Sequence, residues 1–193
     1  MVWWPCGGSD KTSPPPPPVS QWRILYSPGM PVEPEVIGNG FALNFPTAGS
    51  LHYVVRGQSG SISGAFEAAI NLIIPEGVVM SPVGAGDEPP CKAVFYFQRR
   101  GDDLTASKPY HRWWSSQALP LVTSYNGVMS VPLLPENWGS VFGVNGAAAP
   151  AEFAAAMADV QGVGMTFSGK HFAGHGLVAS GAARIEVSAF NVG

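Results

Sequence analysis

Charged side chains are scarce in this sequence. Asp, Glu, Lys and Arg make up 12% of its 193 residues, about half of the ~25% that is usual in soluble domains. The formal net charge is -3, so the chain lacks the basic field with which proteins hold nucleic acid. It also lacks an apolar run that approaches the ~20 residues of a membrane span. We therefore expect no nucleic-acid partner and no transmembrane helix.

Cysteine is almost absent, and the two that occur, Cys6 and Cys91, lie far apart in the chain. A disulfide between them is one alternative, although Cys6 falls in an N-terminal tail with the composition of a flexible segment. The pattern favours the other alternative, in which Cys91 is a small buried side chain.

Glycine and proline are abundant, with 24 and 19 residues. From residue 21 onward they separate short stretches that have the β-branched and aromatic content of strands. The stretch 51–55 follows 41–45 at the distance of a hairpin. At the C-terminus, Ile185, Val187 and Ala189 alternate with polar residues and should share one face. The predicted strands are Trp22–Tyr26, Phe41–Phe45, Leu51–Val55, Ala65–Ile74, Ala93–Gln98, Val128–Leu134, Trp138–Phe142, Gly162–Phe167 and Ala183–Phe190.

One segment, residues 150–159, has the pattern of a helix. Pro150 suits an early helical position, Glu152 suits the first turn, and Phe153 and Met157 lie four residues apart on one face. A parallel α/β fold would need a helix between most strands. The sequence therefore predicts an all-β fold, an antiparallel β-sandwich (jelly roll) over residues 21–193 with one short helix near 150–159.

The first 20 residues differ in composition from the rest and predict a disordered, Pro-rich tether. Cys6-Gly-Gly-Ser9 and the five prolines Pro14–Pro18 resemble the mature start of a bacterial lipoprotein. That resemblance implies a lipid on Cys6, contact with a membrane only through this anchor, and an extracytoplasmic location (secreted, periplasmic or at the cell surface). Residues 1–5 have neither the basic region nor the apolar region of a signal peptide, so an incidental cysteine in a disordered tail is the alternative.

The last third of the chain has a recognisable order of elements. A Trp-centred segment (138–142) precedes the helix, which is followed by the strand 160–167, a Gly/His loop (168–176) and the final strand. This layout resembles the galactose-binding-like jelly roll of carbohydrate-binding modules, with a concanavalin-like jelly roll as the nearest alternative. The resemblance implies non-catalytic binding of carbohydrate. Such domains often hold a structural calcium, for which Asp87, Glu88, Asp102 and Asp103 are the candidate ligands.

The stretch Tyr96–Ser116 contains four of the ten basic residues and two adjacent tryptophans. Aromatic rings stack on sugars, and Arg and Asp can bond pairs of hydroxyls. If residues 112–115 are extended, Trp113 and Trp114 face opposite sides and one enters the core. Alternatively, Arg99 or Arg100 pairs with an aspartate across a turn at Gly101 and both tryptophans pack. The candidate ligand-binding residues here are Arg99, Arg100, Asp102, Tyr110, His111, Arg112, Trp113 and Trp114.

Two histidines in the Gly/His loop, His171 and His175, complete the candidate ligand-binding set. A His-x3-His pair binds zinc when a helix presents both rings, whereas the glycines here indicate a loop. A metal would need a third ligand such as His52 or His111. The alternative is a polar loop in which His175 bonds to the backbone.

Signals of catalysis are weak, because the sequence has no Gly-x-Ser-x-Gly elbow and no phosphate-binding loop. We therefore favour a binding protein over an enzyme. Two alternatives stay open: a polysaccharide lyase or hydrolase, and a surface domain for protein interaction or adhesion. A lyase could draw on His52, Tyr53, Tyr110, His111 and Arg112.

Overall fold

The computed structural model describes residues 21–193. The predicted tether and the lipidation candidate Cys6 lie outside the described residues. The strands are β1 Trp22–Leu25, β2 Glu35–Ile37, β3 Gly40–Asn44, β4 Tyr53–Gly60, β5 Ala65–Ile73, β6 Met80–Pro82, β7 Lys92–Arg99, β8 Arg112–Pro120, β9 Tyr125–Pro132, β10 Trp138–Ser140, β11 Val160–Ser168, β12 Leu177–Ala179 and β13 Arg184–Val192. The helix α1 spans Pro150–Ala158.

The strands form two large sheets and one ribbon. The six-stranded sheet has the order β1-β4-β11-β7-β8-β10, the five-stranded sheet has the order β2-β3-β13-β5-β9, and β12 pairs with β6. All of these pairings are antiparallel. The chain passes directly between the two large sheets at β1–β2, β3–β4, β4–β5, β8–β9 and β9–β10, as in sandwiches whose strands alternate between layers. The predicted all-β antiparallel sandwich with one short helix is confirmed.

The core lies between the two sheets and is rich in aromatic rings. Phe66 of β5 packs with Phe95 and Phe97 of β7, with ring centroids 5.4 and 6.3 Å apart, and with Trp138 at 5.1 Å. Cys91 belongs to the same core, with 1% of its surface exposed. Burial, assisted by the charge of Asp87, raises the pKa of the Cys91 thiol to about 11, as expected for a small buried side chain.

The helix α1 closes one part of the core. Pro150 begins it and Glu152 lies in its first turn, where a negative charge suits the helix dipole. The ring of Phe153 is fully buried and lies 5.0 Å from Trp113 and 5.7 Å from Phe97. Met157 packs against the same core. The predicted helix is confirmed, and it ends one residue earlier than predicted.

Two local predictions are wrong. The alternation of β13 holds through Ile185 and Val187, but the register shifts before Ala189, and Phe190 is then the buried residue. A bulge at this point turns the larger ring inward. The predicted hairpin of 41–45 with 51–55 does not form, since β3 pairs with β2 and β13, whereas β4 pairs with β1 and β11.

Candidate functional site

The side of the six-stranded sheet that faces away from the core carries a second cluster of side chains. Along β7, Phe95 and Phe97 point into the core, so Tyr96 between them points outward. Its neighbours in this outer cluster are Tyr53 and Val55, with Leu25 and Trp114 packed against them. We call this surface the outer face.

Two glycines of the central strand β11, Gly162 and Gly164, form the floor of the outer face. Gly164 lies opposite Val55 on one side and Tyr96 on the other. A Cβ atom at Gly164 would collide with the carbonyl oxygen of Val54. The missing side chain leaves the floor free for neighbouring rings, and those of Tyr53 and Tyr96 meet edge to face with centroids 5.4 Å apart.

The loop between β7 and β8, residues 100–111, is fastened to the outer face by an ion pair. Asp102 Oδ2 lies 3.1 Å from Nε of Arg112, and both side chains are almost wholly buried. The same Oδ2 accepts a hydrogen bond of 2.7 Å from the Gln98 amide. Arg112 also donates to the carbonyl oxygen of Thr105, and its guanidinium lies 5.8 Å from the Trp114 ring. The loop and the sheet therefore form one polar site.

Burial controls the electrostatics of this site. It raises the pKa of Asp102, against the opposing effect of the Arg112 charge. Burial alone would lower the pKa of Arg112, but Tyr53, Asp102 and Tyr96 together raise it. The pKa of Tyr96 lies well above its usual range because the ring is fully buried. At neutral pH the site therefore holds a charged guanidinium and a phenol that keeps its proton.

Besides Oδ1 of Asp102 and Nε of Arg112 in the ion pair, three polar atoms of the outer face have no hydrogen-bond partner within residues 21–193. They are the hydroxyl of Tyr96, Oγ1 of Thr166 and Nε1 of Trp114, and all three atoms are buried. Thr166 lies opposite Tyr53 in the register of β11 and β4. A buried polar atom without a partner costs about 1–3 kcal/mol, so such a group commonly marks the position of a ligand or a water molecule.

The structure brings together three of the residues predicted from the Tyr96–Ser116 stretch: Asp102, Arg112 and Trp114. Tyr53, Tyr96 and Thr166 also belong to the site but were missing from the predicted ligand-binding set. The alternation of Phe95, Tyr96 and Phe97 could have predicted Tyr96. The two phenylalanine rings indicate the core side of the strand, so Tyr96 must point to the opposite face.

The other residues of that stretch lie elsewhere. Trp113 is 0% exposed and belongs to the core, so we remove it from the candidate site. Tyr110 stacks on the Trp113 ring at 6.2 Å. The alternative ion pairs across the turn do not form: Arg100 pairs with Asp159 at 3.0 Å, Asp102 pairs with Arg112, and Asp103 lies near Lys108.

His111 sits at the end of the β7–β8 loop, beside the site. Its backbone carbonyl accepts a hydrogen bond from the amide of Arg99. Its Nδ1 atom is buried and has no partner in the described part of the chain. Burial, together with the charge of Arg99, lowers the pKa of this imidazole, which favours its neutral form.

The Gly/His loop borders one end of the outer face, because a Cβ at Gly174 would collide with the Tyr53 hydroxyl. Asp87 holds the loop by accepting hydrogen bonds from the amides of Gly169 and His171, at 2.7 and 2.9 Å. The ring of His175 stacks on Phe172 with centroids 4.5 Å apart. His171 is exposed, so of the two predicted histidines His175 is the better packed.

The acidic residues proposed for calcium are engaged in protein contacts. Asp87 binds loop amides, Glu88 lies 3.4 Å from His171 Nε2, Asp102 pairs with Arg112, and Asp103 lies 3.6 Å from Lys108. No three His, Cys, Asp or Glu side chains between residues 21 and 193 are grouped so that they could hold a metal ion. In the same part of the chain, no helix is long and apolar enough to cross a membrane.

The protein is an antiparallel β-sandwich, and the outer face of its six-stranded sheet carries a candidate site of polar and aromatic side chains. Comparison with family models, curated proteins and solved structures finds no match for the chain.

Proposed function

We propose that the protein binds carbohydrate, without catalysis, on the outer face of the six-stranded sheet. The observation that carries this proposal is the set of unpaired polar atoms on Tyr96, Thr166 and Trp114 beside aromatic rings. A sugar ring presents apolar C–H faces and a rim of hydroxyls, so its binding needs flat aromatic surfaces next to hydrogen-bonding groups.

The aromatic rings of the site differ in how much of their surface is exposed to solvent. Tyr26 is 38% exposed and its ring lies 6.4 Å from that of Tyr53. Trp114 is half-buried, with its ring 6.1 Å from that of Tyr96. The half-exposed rings of Tyr26 and Trp114 supply stacking surfaces, and the buried atoms between them supply hydrogen bonds.

The carboxylate and histidine positions favour binding over catalysis. Glycosidases use two carboxyl groups that flank the scissile bond, whereas the carboxyl group described in this site is that of Asp102, and its Oδ2 is held by Gln98 and Arg112. His52, a candidate base for a lyase, is engaged through both ring nitrogens, with Ser50 Oγ at 2.8 Å and the Gly174 carbonyl oxygen at 3.0 Å.

Access to the deepest groups requires a movement of the β7–β8 loop. Tyr96 is 0% exposed, and Asp102 of the loop lies close enough to raise its pKa. We expect a ligand to engage Trp114 first and to displace the loop as it reaches Tyr96. Hydrogen exchange of residues 100–111 should therefore change when a ligand binds.

Replacing Tyr96 by Phe tests the proposal, because the change removes only the unpaired hydroxyl. A glycan array and calorimetry on the full chain identify a ligand, and Tyr96→Phe should then bind it about tenfold more weakly. Its stability should stay the same or rise by up to about 1 kcal/mol, since a buried hydroxyl without a partner is lost.

Tyr125→Phe is the matched control, because the Tyr125 hydroxyl donates to the Val128 carbonyl oxygen on the five-stranded sheet. This variant should bind as tightly as the wild type. The proposal fails if an array of neutral and acidic glycans yields no ligand, or if Tyr96→Phe leaves the affinity unchanged.

A further inference from the structure

We infer that Asp102 determines the class of ligand, by cancelling the charge of Arg112 so that the outer face selects neutral glycans over anionic ones. The inference rests on the proposed function and adds to it the chemical class of the sugar and the residue that selects it.

The ion pair lies inside the site. Asp102 and Arg112 are separated by 3.1 Å and are almost wholly buried, and Arg112 lies against the Trp114 ring. At this distance, and away from water, two opposite charges interact strongly. A ligand on the outer face therefore meets a neutral pair, although an arginine alone would attract carboxylate or sulfate groups.

Apart from Oδ1 of Asp102 and Nε of Arg112, which belong to the ion pair itself, the unpaired atoms that the outer face offers a ligand are uncharged. A tyrosine hydroxyl and a threonine hydroxyl can each donate and accept, and the tryptophan N–H donates. This combination matches sugar hydroxyls, which both donate and accept. An anionic ligand, in contrast, would bring its charge close to Asp102 without an unpaired cation to receive it, so its desolvation would not be offset.

Two other charged residues near the site, Lys108 and Arg100, are also paired. Lys108 lies 3.6 Å from Asp103 on the same loop, and Arg100 lies 3.0 Å from Asp159. Both pairs are more exposed than the pair of Asp102 with Arg112, so solvent screens them. The neutrality of the outer face thus depends on Asp102 in particular.

The test compares Asp102→Asn with the wild type on two oligosaccharides of equal length, one neutral and one carrying uronate groups. The asparagine has the same shape as the aspartate but leaves the Arg112 charge unpaired. The wild type should prefer the neutral sugar. In Asp102→Asn, the affinity for the uronate sugar should rise about tenfold, and this gain should shrink as salt is added.

Asp103→Asn is the matched control, because it removes the same charge from the next residue, which is half-exposed and paired with Lys108. It should leave both affinities unchanged. If Asp102→Asn does not fold, the preference of the wild type for neutral or uronate sugar still decides the question, together with its salt dependence.

Three results would overturn the inference alone: a wild type that prefers the uronate sugar, an Asp102→Asn variant with no gain, or an equal gain in Asp103→Asn. In each of these cases the protein still binds glycan, so the proposed function stands. If the wild type binds neither sugar nor any glycan of the array, both the inference and the proposed function fall.

Discussion

Trp113 and Trp114 are neighbours in sequence but belong to different parts of the molecule. Both lie in β8, where successive side chains alternate between the two faces. Trp113 faces inward, where its ring packs on Phe153 and its indole N–H donates to the Tyr110 carbonyl oxygen at 3.0 Å. Trp114 faces outward beside Arg112. One tryptophan stabilises the fold, and the other lies in the candidate site.

Alanine substitutions should separate these two roles. Trp113→Ala empties a fully buried position and should reduce the free energy of unfolding by about 3–5 kcal/mol. Trp114→Ala should cost less than half of that, but should weaken glycan binding at least about tenfold. Chemical denaturation and calorimetry on both variants provide the measurements. A Trp114→Ala variant with unchanged affinity would remove this ring from the site.

At the scale of elements, β11 is the strand on which the outer face depends. It lies between β4 and β7 in the six-stranded sheet, and all nine of its residues are buried. Gly162 and Gly164 leave its outward side without large side chains, so the rings of Tyr53 and Tyr96 approach each other across it. Close approach of another stretch of backbone is a common reason for glycine inside a strand, and at Gly164 that backbone is the carbonyl of Val54.

Adding a single methyl group tests this role of β11. Gly164→Ala would place a Cβ against the carbonyl oxygen of Val54, which belongs to the backbone of β4 and cannot rotate away. We expect a loss of about 2–3 kcal/mol in the free energy of unfolding. Gly139→Ala, in β10 of the same sheet, is the control because no atom lies within 4 Å of the added Cβ. Equal stability of the two variants would show that the contact at Gly164 relaxes.

Secondary-structure elements can be predicted from this sequence where the local pattern of apolar and polar residues determines them. Helix α1 and the inward side of β13 as far as Val187 follow from periodicity. The bulge before Ala189 was missed because its cause is the burial of Phe190, a tertiary effect. The pairing of β4 with β1 and β11 was missed because β11 lies about a hundred residues further along the chain, and local spacing carries no information about such a partner.

The candidate site was only partly predictable for a related reason. The two-residue period of a strand indicates that Trp113 and Trp114 point to opposite faces of the sheet, but it does not indicate which of them faces the core. One alternative paired Asp102 or Asp103 with Arg99 or Arg100 across the turn at Gly101. The partner of Asp102 is Arg112, because the β7–β8 loop folds back onto the sheet.

At the scale of the whole molecule, burial keeps several titratable groups in their uncharged forms. It lowers the pKa of His52 and of His175, and the charge of each histidine is therefore disfavoured in the folded state. It raises the pKa of Tyr96 well above its usual range and that of Cys91 to about 11. His52 precedes β4, whereas His175 lies in the Gly/His loop, Tyr96 on the outer face and Cys91 in the core.

The free energy of unfolding should therefore have a plateau between about pH 6.5 and 9. Below it, His52 and His175 take up protons in the unfolded chain but stay neutral in the folded protein, so stability falls as the pH falls. Above it, the unfolded chain ionises the thiol of Cys91 and then the phenol of Tyr96 while the folded state holds their protons, so stability falls as the pH rises.

The acid side of the profile also contains an opposing contribution, because burial raises the pKa of Asp102 and so stabilises the folded state as the pH falls. To isolate the contribution of His52, the free energy of unfolding in urea should be compared between wild type and His52→Gln from pH 5 to 8. His52→Gln should reduce the loss of stability on the acid side, since His175 still contributes to it, and a parallel pH profile for wild type and His52→Gln would contradict the assignment.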